Sequence, residues 1–200
     1  MNYTLPDIHL LDTSNRQYLI WIPDKPYIVL GASNRAEDAL FLENVARDNI
    51  SVMKRPSGGQ TVMLTPNNLV ISVIYTNPES VQPKSVFQQV NSLILSVLEQ
   101  AGVQNLAQDG ISDISISGKK ILGSSIYRNK NALLYHAVLN MAEPAQTFEK
   151  YLKHPSREPG YRKGRKHSEF VTSLRENGFS GSFYYLSAQL SQTFEATFAP

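Results

Sequence analysis

The sequence predicts an α+β domain in which helices pack against a central β-sheet. Short runs of β-branched and aromatic residues dominate the middle of the chain, whereas apolar residues at helical spacing dominate its end. Strands and helices do not alternate regularly, as they would in a doubly wound parallel sheet. The 200 residues suffice for one domain of ordinary size, and no repeat or low-complexity linker divides them.

Composition and charge exclude several classes of protein. Apolar residues make up 42% of the chain and charged residues 18%, which is typical of a globular protein rather than a disordered one. The net charge of +2 provides no general attraction for nucleic acid. The absence of cysteine excludes disulfides, cysteine metal sites and thiol nucleophiles. The N-terminus lacks a secretory signal and no apolar stretch is long enough to span a membrane, so a cytoplasmic protein with no membrane partner is expected.

The first predicted elements are two strands and a helix. Residues 17–23 and 27–31 are apolar runs that end at proline and glycine, as strands often do. Asn34 has the character of a helix N-cap, with Glu37 as its capping-box partner. The helix is expected to cover residues 36–48.

Further strands are predicted in the middle of the chain and further helices towards its end. Strand-like runs occupy residues 51–55, 61–64, 69–75, 111–116, 120–127 and 132–141. The alternation within residues 111–116 predicts one buried face and one polar face. Pro83 opens a helix that Gly102 ends, with one apolar face formed by Val86, Val90, Leu93, Val97 and Ala101. Later helices are predicted over residues 147–154, 167–176 and 182–198.

A loop with two adjacent glycines is the first candidate site. Gly58 and Gly59 allow backbone N–H groups to approach a ligand closely. Arg55 and Ser57 adjoin them, so the loop could hold a phosphate or a carboxylate. The alternative is a hairpin turn with a solvated pair formed by Lys54 and Arg55. The loop matches neither the Walker nor the Rossmann pattern.

A hairpin within residues 112–125 is the second candidate site. Its turn would bring Asp113 and Lys120 together on paired strands, where they could position a phosphate that is free or bound to a metal. Gly123 and Ser124 would allow a ligand to approach the backbone closely. The alternative is a cross-strand ion pair beside a turn.

A histidine and a basic loop are the remaining candidates. His136 lies inside an apolar run, where a hydrogen-bonded structural histidine is more usual than a catalytic one. No second histidine or carboxylate stands at metal-ligand spacing, so zinc is not expected. Residues 153–166 combine a cluster of cations with two prolines and two glycines, which predicts a loop that recognises an acidic partner or covers a phosphate-containing ligand. A merely solvated loop is the alternative, and its aromatic residues are too few to predict the stacking of nucleic-acid bases.

Together and in this order, these motifs resemble the catalytic domain of the lipoate-protein ligase family, within the biotin and lipoate ligase superfamily. The resemblance covers about residues 27–174. It is carried by residues 54–68, by Ser112-Asp113 with residues 118–125, and by His136-Ala137-Val138. The chain departs from the family pattern where Gln60 replaces a third glycine, Leu64-Thr65 replaces His-Asp and Val138 replaces threonine. Gly-Gly-Gln is similar to the motif of the sister octanoyltransferases, but their cysteine-thioester route needs a thiol that this chain lacks.

The resemblance implies a mixed central β-sheet flanked by helices, of the class II aminoacyl-tRNA synthetase and biotin–lipoate ligase type. It implies that ATP activates lipoate or octanoate to an acyl-adenylate, whose acyl group passes to a lysine of a lipoyl carrier domain. Lys120 would be the catalytic residue that stabilises charge at the acyl carbonyl and the α-phosphate, and Asp113 would help to place the nucleotide and Mg²⁺. The implied substrate-binding residues are Arg55, Ser57, Gly58, Gly59, Gln60, Thr61, His136 and Val138, and the other nucleotide-binding residues are Gly123, Ser124 and Ser125.

The resemblance also bears on domains and partners. Many ligases of this family carry a C-terminal accessory domain that closes over the adenylate, whereas a single catalytic domain without it is expected for residues 1–200. Either a separate small accessory subunit supplies that role or the protein is of a single-domain type. Two alternatives to a ligase stay open, namely a cysteine-free lipoyl or octanoyl transferase that uses a preactivated donor, and a non-catalytic module that binds lipoyl domains.

Overall fold

The secondary structure is given for residues 3–12 and 17–198, which the computed structural model describes. The strands in these ranges are β1 (Tyr18–Trp21), β2 (Tyr27–Leu30), β3 (Ser51–Lys54), β4 (Val62–Leu64), β5 (Asn68–Tyr75), β6 (Leu106–Asp109), β7 (Asp113–Ile116), β8 (Lys119–Arg128) and β9 (Leu133–Asn140). The α-helices are α1 (Ala36–Ala39), α2 (Leu42–Arg47), α3 (Pro83–Gln100), α4 (Ala145–Tyr151), α5 (His167–Phe170) and α6 (Phe183–Phe198). Short 3₁₀ helices cover Pro6–Leu11, Pro78–Ser80 and Arg175–Asn177. None of the helices in the described ranges is both long and apolar enough to cross a membrane.

The strands form two sheets. The larger sheet has six strands in the order β1-β5-β9-β8-β7-β6, and every neighbouring pair is antiparallel. The smaller sheet has the order β3-β2-β4, in which β2 runs parallel to β3 and antiparallel to β4. The α+β class is thus confirmed, and the mixed strand directions occur in the smaller sheet. The strands from β6 to β9 follow one another through short connections, which suit antiparallel neighbours.

The two faces of the larger sheet pack against different layers. In β5, Leu69, Ile71 and Val73 belong to the main core with α3 and α6, whereas Val70 packs with residues of the smaller sheet. This division follows from the two-residue period of a strand, which sends alternate side chains to opposite faces. The same period places alternate residues of β9 on the face towards the smaller sheet. The candidate functional site lies on that side.

Most of the predicted strands and helices are confirmed, with bounds that differ by a few residues. The helix expected from Pro83 ends at Gln100, and Gly102 follows it with the left-handed φ of +86° that its C-cap position requires. Val86, Val90 and Val97 of this helix are buried, as its apolar face predicts.

The prediction of one continuous helix over residues 36–48 is wrong. It is broken at Leu40, whose backbone forms an isolated bridge with Leu152, so α1 and α2 are separate short helices. The prediction of Asn34 as the N-cap is also wrong, because Arg35 takes that position. Instead, the Asn34 carboxamide oxygen accepts hydrogen bonds from the Gly31 N–H at 3.2 Å and from the Thr61 hydroxyl at 3.1 Å. Contacts between distant segments therefore override the helical pattern here.

Two further predictions are wrong in extent. The helix expected over residues 167–176 ends at Phe170, because Val171 then forms a parallel bridge with Lys120 and continues beside β8. The alternation in residues 111–116 predicted one polar face and one buried face, and in β7 the polar residues Asp113 and Ser115 are buried together with the apolar ones. The polar face is covered because the Tyr161 hydroxyl donates a 2.8 Å hydrogen bond to Asp113 from the basic loop.

Candidate functional site

A cavity of about 540 Å³ lies between the smaller sheet, strands β5, β8 and β9, and the segment that joins α4 to α5. This volume is within the range of small-molecule sites, roughly 300–1,000 Å³. Its apolar lining includes Val29, Val62, Leu64, Val70 and Val138. Its charged lining includes Arg35, Arg55, Asp113, Lys120, Lys153, Arg157, Glu158 and Arg162. The cavity therefore offers both an apolar wall and a set of cations to one ligand or to a pair of ligands.

The glycine-rich loop joins β3 to β4 without forming a hairpin. These strands lie on opposite sides of β2, so the hairpin alternative is wrong. Arg55 is buried, and it donates hydrogen bonds to Ser57 Oγ at 2.9 Å, to the Val29 carbonyl at 3.2 Å and to the Gly58 and Gln60 carbonyls at 2.8 Å each. Burial lowers the pKa of Arg55 to about 10. The Arg55 guanidinium therefore stabilises the conformation of the loop through these hydrogen bonds. It is not solvated, as the alternative of a solvated pair of Lys54 and Arg55 would require.

A buried relay connects this loop to the start of the chain. Ser57 Oγ lies 2.6 Å from His136 Nε2, and His136 Nδ1 lies 3.3 Å from Asp7 Oδ2. Burial opposes ionisation of Asp7, but hydrogen bonds from His136, Tyr3 and Ser72 lower its pKa overall. In the tautomer that carries its proton on Nδ1, His136 donates to the Asp7 carboxylate and accepts the Ser57 hydroxyl proton at Nε2. His136 thus combines the expected structural role with a place in the cavity lining.

The predicted pairing of Asp113 and Lys120 is confirmed. Lys120 Nζ lies 2.9 Å from Asp113 Oδ1, and Lys120 is the strand partner of Ser115, two residues after Asp113 on β7. The hairpin turns through Ser117 and Gly118, whose φ values of +50° and +74° suit a tight turn with the twist of paired strands. Both charged residues line the cavity, so the pair is more than a surface contact beside a turn.

Asp113 is held from several directions. Its Oδ1 also accepts a hydrogen bond from the Ser112 hydroxyl at 3.0 Å, and its Oδ2 accepts one from Tyr161 at 2.8 Å. Burial and the neighbouring Asp113 raise the pKa of Tyr161, which keeps its hydroxyl protonated as a donor. Both carboxylate oxygens are therefore engaged, and no group of three His, Cys, Asp or Glu residues in the described ranges could hold a metal ion. The residues around Asp113 do not by themselves form a Mg²⁺ site.

The basic loop, residues 153–166, has an inner side that faces the cavity and an outer side that faces solvent. Arg162 is buried beneath it with its guanidinium carbon 4.8 Å from the centre of the Phe170 ring. Arg165 donates hydrogen bonds to the Gly118 carbonyl at 3.1 Å and to the Tyr161 carbonyl at 2.8 Å. Among the other cations, Arg157, Lys163 and Lys166 are exposed. The loop therefore covers the Asp113 side of the site while it presents part of its charge outward.

The structure brings most of the candidate residues to one cavity. Those in its lining are Arg55, Gly59, Gln60, Thr61, Asp113, Lys120, Gly123, Ser124, Ser125, His136 and Val138. Ser57 and Gly58 lie behind this lining, in contact with it through the relay and the Arg55 hydrogen bonds. The sequence reasoning did not identify Asp7 or Tyr161. Tyr161 lies in the basic loop, for which covering a phosphate-containing ligand was one of the predicted roles, whereas no local pattern distinguishes Asp7.

Comparison with solved structures identifies the class of fold. A bi-partite lipoate protein ligase from Thermoplasma acidophilum superposes with a TM-score of 0.77 at 22% identity, over 90% of this chain and 70% of that one. A lipoate-protein ligase A bound with ATP superposes with a TM-score of 0.72 at 21% identity, over 86% of this chain and 69% of that one. The fold is that of lipoate ligase catalytic domains.

Sequence comparison identifies the family. The family described as the lipoyl protein ligase A/B catalytic domain matches residues 6–195, so the chain belongs to it. Lipoate-protein ligase LplJ of Bacillus subtilis is 27% identical over 124 residues, which are 62% of this chain and 37% of that protein. The present chain thus corresponds to little more than a third of that relative's length.

Proposed function

We propose that the protein is an ATP-dependent lipoate-protein ligase that activates lipoate or octanoate and transfers the acyl group to a lysine of a lipoyl carrier domain. The observation that carries the proposal is the Lys120–Asp113 pair, 2.9 Å apart, in a cavity with both an apolar and a cationic lining. An apolar acyl chain and a charged nucleotide are the two ligands that such a lining suits. The family membership makes this pair of substrates the first to test.

The first step joins the acid to AMP. A carboxylate oxygen of lipoate attacks the α-phosphorus of ATP, an O–P bond forms, and the bond to the β-phosphate oxygen breaks to release pyrophosphate. Negative charge builds on the α-phosphate oxygens during this step, and Lys120 is the cation positioned to stabilise it. Asp113 fixes the direction of the Lys120 side chain through their ion pair. Fixing the cation in advance avoids the cost of reorganising it during the reaction.

The second step transfers the acyl group. The uncharged amine of the acceptor lysine attacks the carbonyl carbon of the adenylate, a C–N bond forms, and the C–O bond to phosphate breaks to release AMP. The attacking nitrogen loses a proton, which passes to the departing phosphate of AMP or to water. Charge develops first on the carbonyl oxygen and then on the leaving phosphate, so the same Lys120 can serve both steps. A cysteine is needed in neither step, which agrees with the composition of the chain.

The glycine-rich loop would contribute through its shape. Arg55 uses its hydrogen bonds on the loop itself, so we assign it a positioning role in place of direct contact with carboxylate or phosphate. Gly59 and Gln60 would then form the wall against the ligand. The alternate residues of β5 and β9 that face this side include Val70 and Val138, which would contact the acyl chain.

The relatives support the choice of nucleotide and partner. One of the similar structures is a ligase bound with ATP, and another is described as a bi-partite ligase with its E2 lipoyl domain. We therefore propose a lipoyl domain as the acceptor and a separate accessory subunit as a candidate partner. Residues 1–200 are proposed to act as one catalytic unit.

The test is an ATP–pyrophosphate exchange assay with lipoate and with octanoate, followed by mass measurement of a lipoyl domain. A ligase exchanges pyrophosphate in the presence of acid and adds the acyl mass to the domain. A transferase that uses a preactivated donor modifies the domain only from supplied lipoyl-adenylate or an acyl thioester. A binding module does neither, and that result would refute the proposal.

A further inference from the structure

Arg162 is a buried cation with unsatisfied hydrogen-bonding capacity. The residue is 4% exposed and lines the cavity. Its Nε donates to the Arg165 carbonyl at 2.9 Å and lies 3.4 Å from Glu158 Oε2. Within the part of the chain that the structure describes, Nη2 is buried and has no hydrogen-bond partner. A buried charged donor without an acceptor is costly, and its presence calls for an explanation.

The other unpartnered buried atoms differ from Arg162. Among the described residues they belong to Trp21 and Asn91, which are uncharged and do not line the cavity. The cavity arginine Arg55 differs as well, because its terminal nitrogens donate to the Val29 carbonyl of β2 and to the Gly58 and Gln60 carbonyls of its own loop. Arg162 thus combines charge, burial, a place in the cavity wall and a free terminal nitrogen.

Arg162 is paired with one acidic residue, Glu158, and is otherwise surrounded mainly by basic side chains. Glu158 Oε2 lies 3.1 Å from His154 Nε2 as well as near Arg162, so these three side chains form one cluster. Lys153 donates to the Glu37 carbonyl at 2.7 Å, which places the start of the basic loop against α1. Arg157 also lines this part of the cavity. Burial and the Arg162 charge lower the pKa of His167 to about 4, so His167 is neutral near pH 7 and the positive charge is centred on the arginines and lysine.

We propose that Arg162 donates hydrogen bonds to the terminal phosphates of the nucleotide, so that the inner side of the basic loop is a pyrophosphate subsite. Tyr161, the preceding residue, contacts Asp113, whose other oxygen contacts Lys120. Arg162 therefore directly follows a residue that contacts the Asp113–Lys120 pair, to which the α-phosphate is assigned. A guanidinium matches adjacent phosphate oxygens with parallel hydrogen bonds. This inference rests on the proposed function, because it assigns part of the nucleotide to this end of the same cavity.

A docked protein is the less suitable partner for Arg162. Arg162 lines the cavity beneath the loop and is only 4% exposed, so a ligand inside the cavity can approach it whereas a carboxylate on the surface of another protein would not reach it. Docking of an acidic domain is better served by the exposed Lys163 and Lys166. The basic loop would then have two functions, one on each side.

The test compares Arg162→Met with Lys163→Gln. Methionine retains apolar packing against Phe170, and Lys163→Gln removes one positive charge from the same loop at an exposed position. Binding of pyrophosphate, ATP, AMP and octanoate would be measured by titration calorimetry on the full chain at one ionic strength. We expect Arg162→Met to raise the Kd of pyrophosphate and of ATP about tenfold or more, since hydrogen bonds between charged groups are the strong ones. AMP and octanoate should change less than about twofold, and Lys163→Gln should behave as the unmodified protein.

Three results would overturn the assignment. Equal weakening of AMP and ATP binding would place Arg162 at the α-phosphate. Weaker binding of octanoate alone would place it at the carboxylate, and equal Kd values in Arg162→Met and Lys163→Gln would show that it contacts no ligand.

Arg162→Lys provides a second variant that keeps the charge, and an intermediate loss of pyrophosphate affinity is expected from it. If pyrophosphate binds through Arg162 but no exchange occurs, the subsite stands and the ligase proposal fails. If exchange occurs and Arg162→Met binds pyrophosphate normally, the ligase proposal stands and the subsite fails.

Discussion

The side chain of Lys120 lies directly over the backbone of Gly123. A Cβ atom built at Gly123 would lie 2.6 Å from Lys120 Nζ, which is closer than such atoms approach in proteins. The glycine is therefore required by the position of the lysine. This explains why the motif places a glycine three residues after the lysine on a strand, where glycine is otherwise unfavourable.

Replacement of Lys120 by alanine should abolish the first chemical step. We expect acyl-adenylate formation, measured by pyrophosphate exchange, to fall by about 10²–10³, the usual effect of removing one preorganised charge-stabilising group. Lys119→Ala is the matched control, because Lys119 is exposed and does not line the cavity. Equal losses in the two variants would contradict the assignment of Lys120.

Gly123→Ala should act through Lys120. The new methyl group forces the ammonium away from Asp113, so we expect the exchange rate to fall at least about tenfold while the melting temperature changes little. Gly160→Ala is the control, because a Cβ there meets no atom within 4 Å. If activity survives Gly123→Ala, the observed Lys120 position is not the one that catalyses the reaction.

The relay from Asp7 should contribute to stability in a pH-dependent way. The pKa of Asp7 is lowered below its ordinary 3.8 in the folded state, so its contribution is present above that value and is lost as the pH falls through the folded pKa. Asp7→Asn should lower the free energy of unfolding near pH 7 by about 1.5–3 kcal/mol, because it weakens the hydrogen bonds that Tyr3, Ser72 and His136 make with a buried carboxylate.

Urea unfolding between about pH 2 and pH 7 would check this. The stability difference between the unmodified protein and Asp7→Asn should shrink at the acid end. Asp12→Asn is a suitable control, because Asp12 lies at the surface end of the same segment. A difference that stays constant with pH would show that the carboxylate is not ionised in the folded protein.

The outer cations of the basic loop should affect the carrier domain alone. Neutralising Lys163 and Lys166 together should raise the KM for an acidic lipoyl domain and weaken its dependence on salt, because long-range attraction is screened by ions. Pyrophosphate exchange with free lipoate should stay unchanged. A parallel loss of both activities would place these lysines at the nucleotide instead.

The sequence predicted those parts of the site that depend on local patterns. The two-residue period of β9 and the turn before Lys120 are sufficient to place His136 on one face and to pair Lys120 with Asp113. The relay could not be found in this way, because Asp7 and His136 are 129 residues apart and no local pattern connects them. The burial of Arg162 could not be predicted either, because the sequence of a basic loop does not show which of its side chains point inward. The break at Leu40 comes from backbone pairing with Leu152, which helix propensity does not describe.

The Asp7 relay has a practical consequence for anyone who expresses or engineers the protein. A carboxylate within the first ten residues is connected through His136 and Ser57 to the ligand loop. We therefore expect a deletion or a fusion that displaces Asp7 to disturb the glycine-rich loop, even though the chain there lies outside every motif. Recombinant versions should be compared by ligand affinity as well as by yield, and tags are better placed at the opposite terminus.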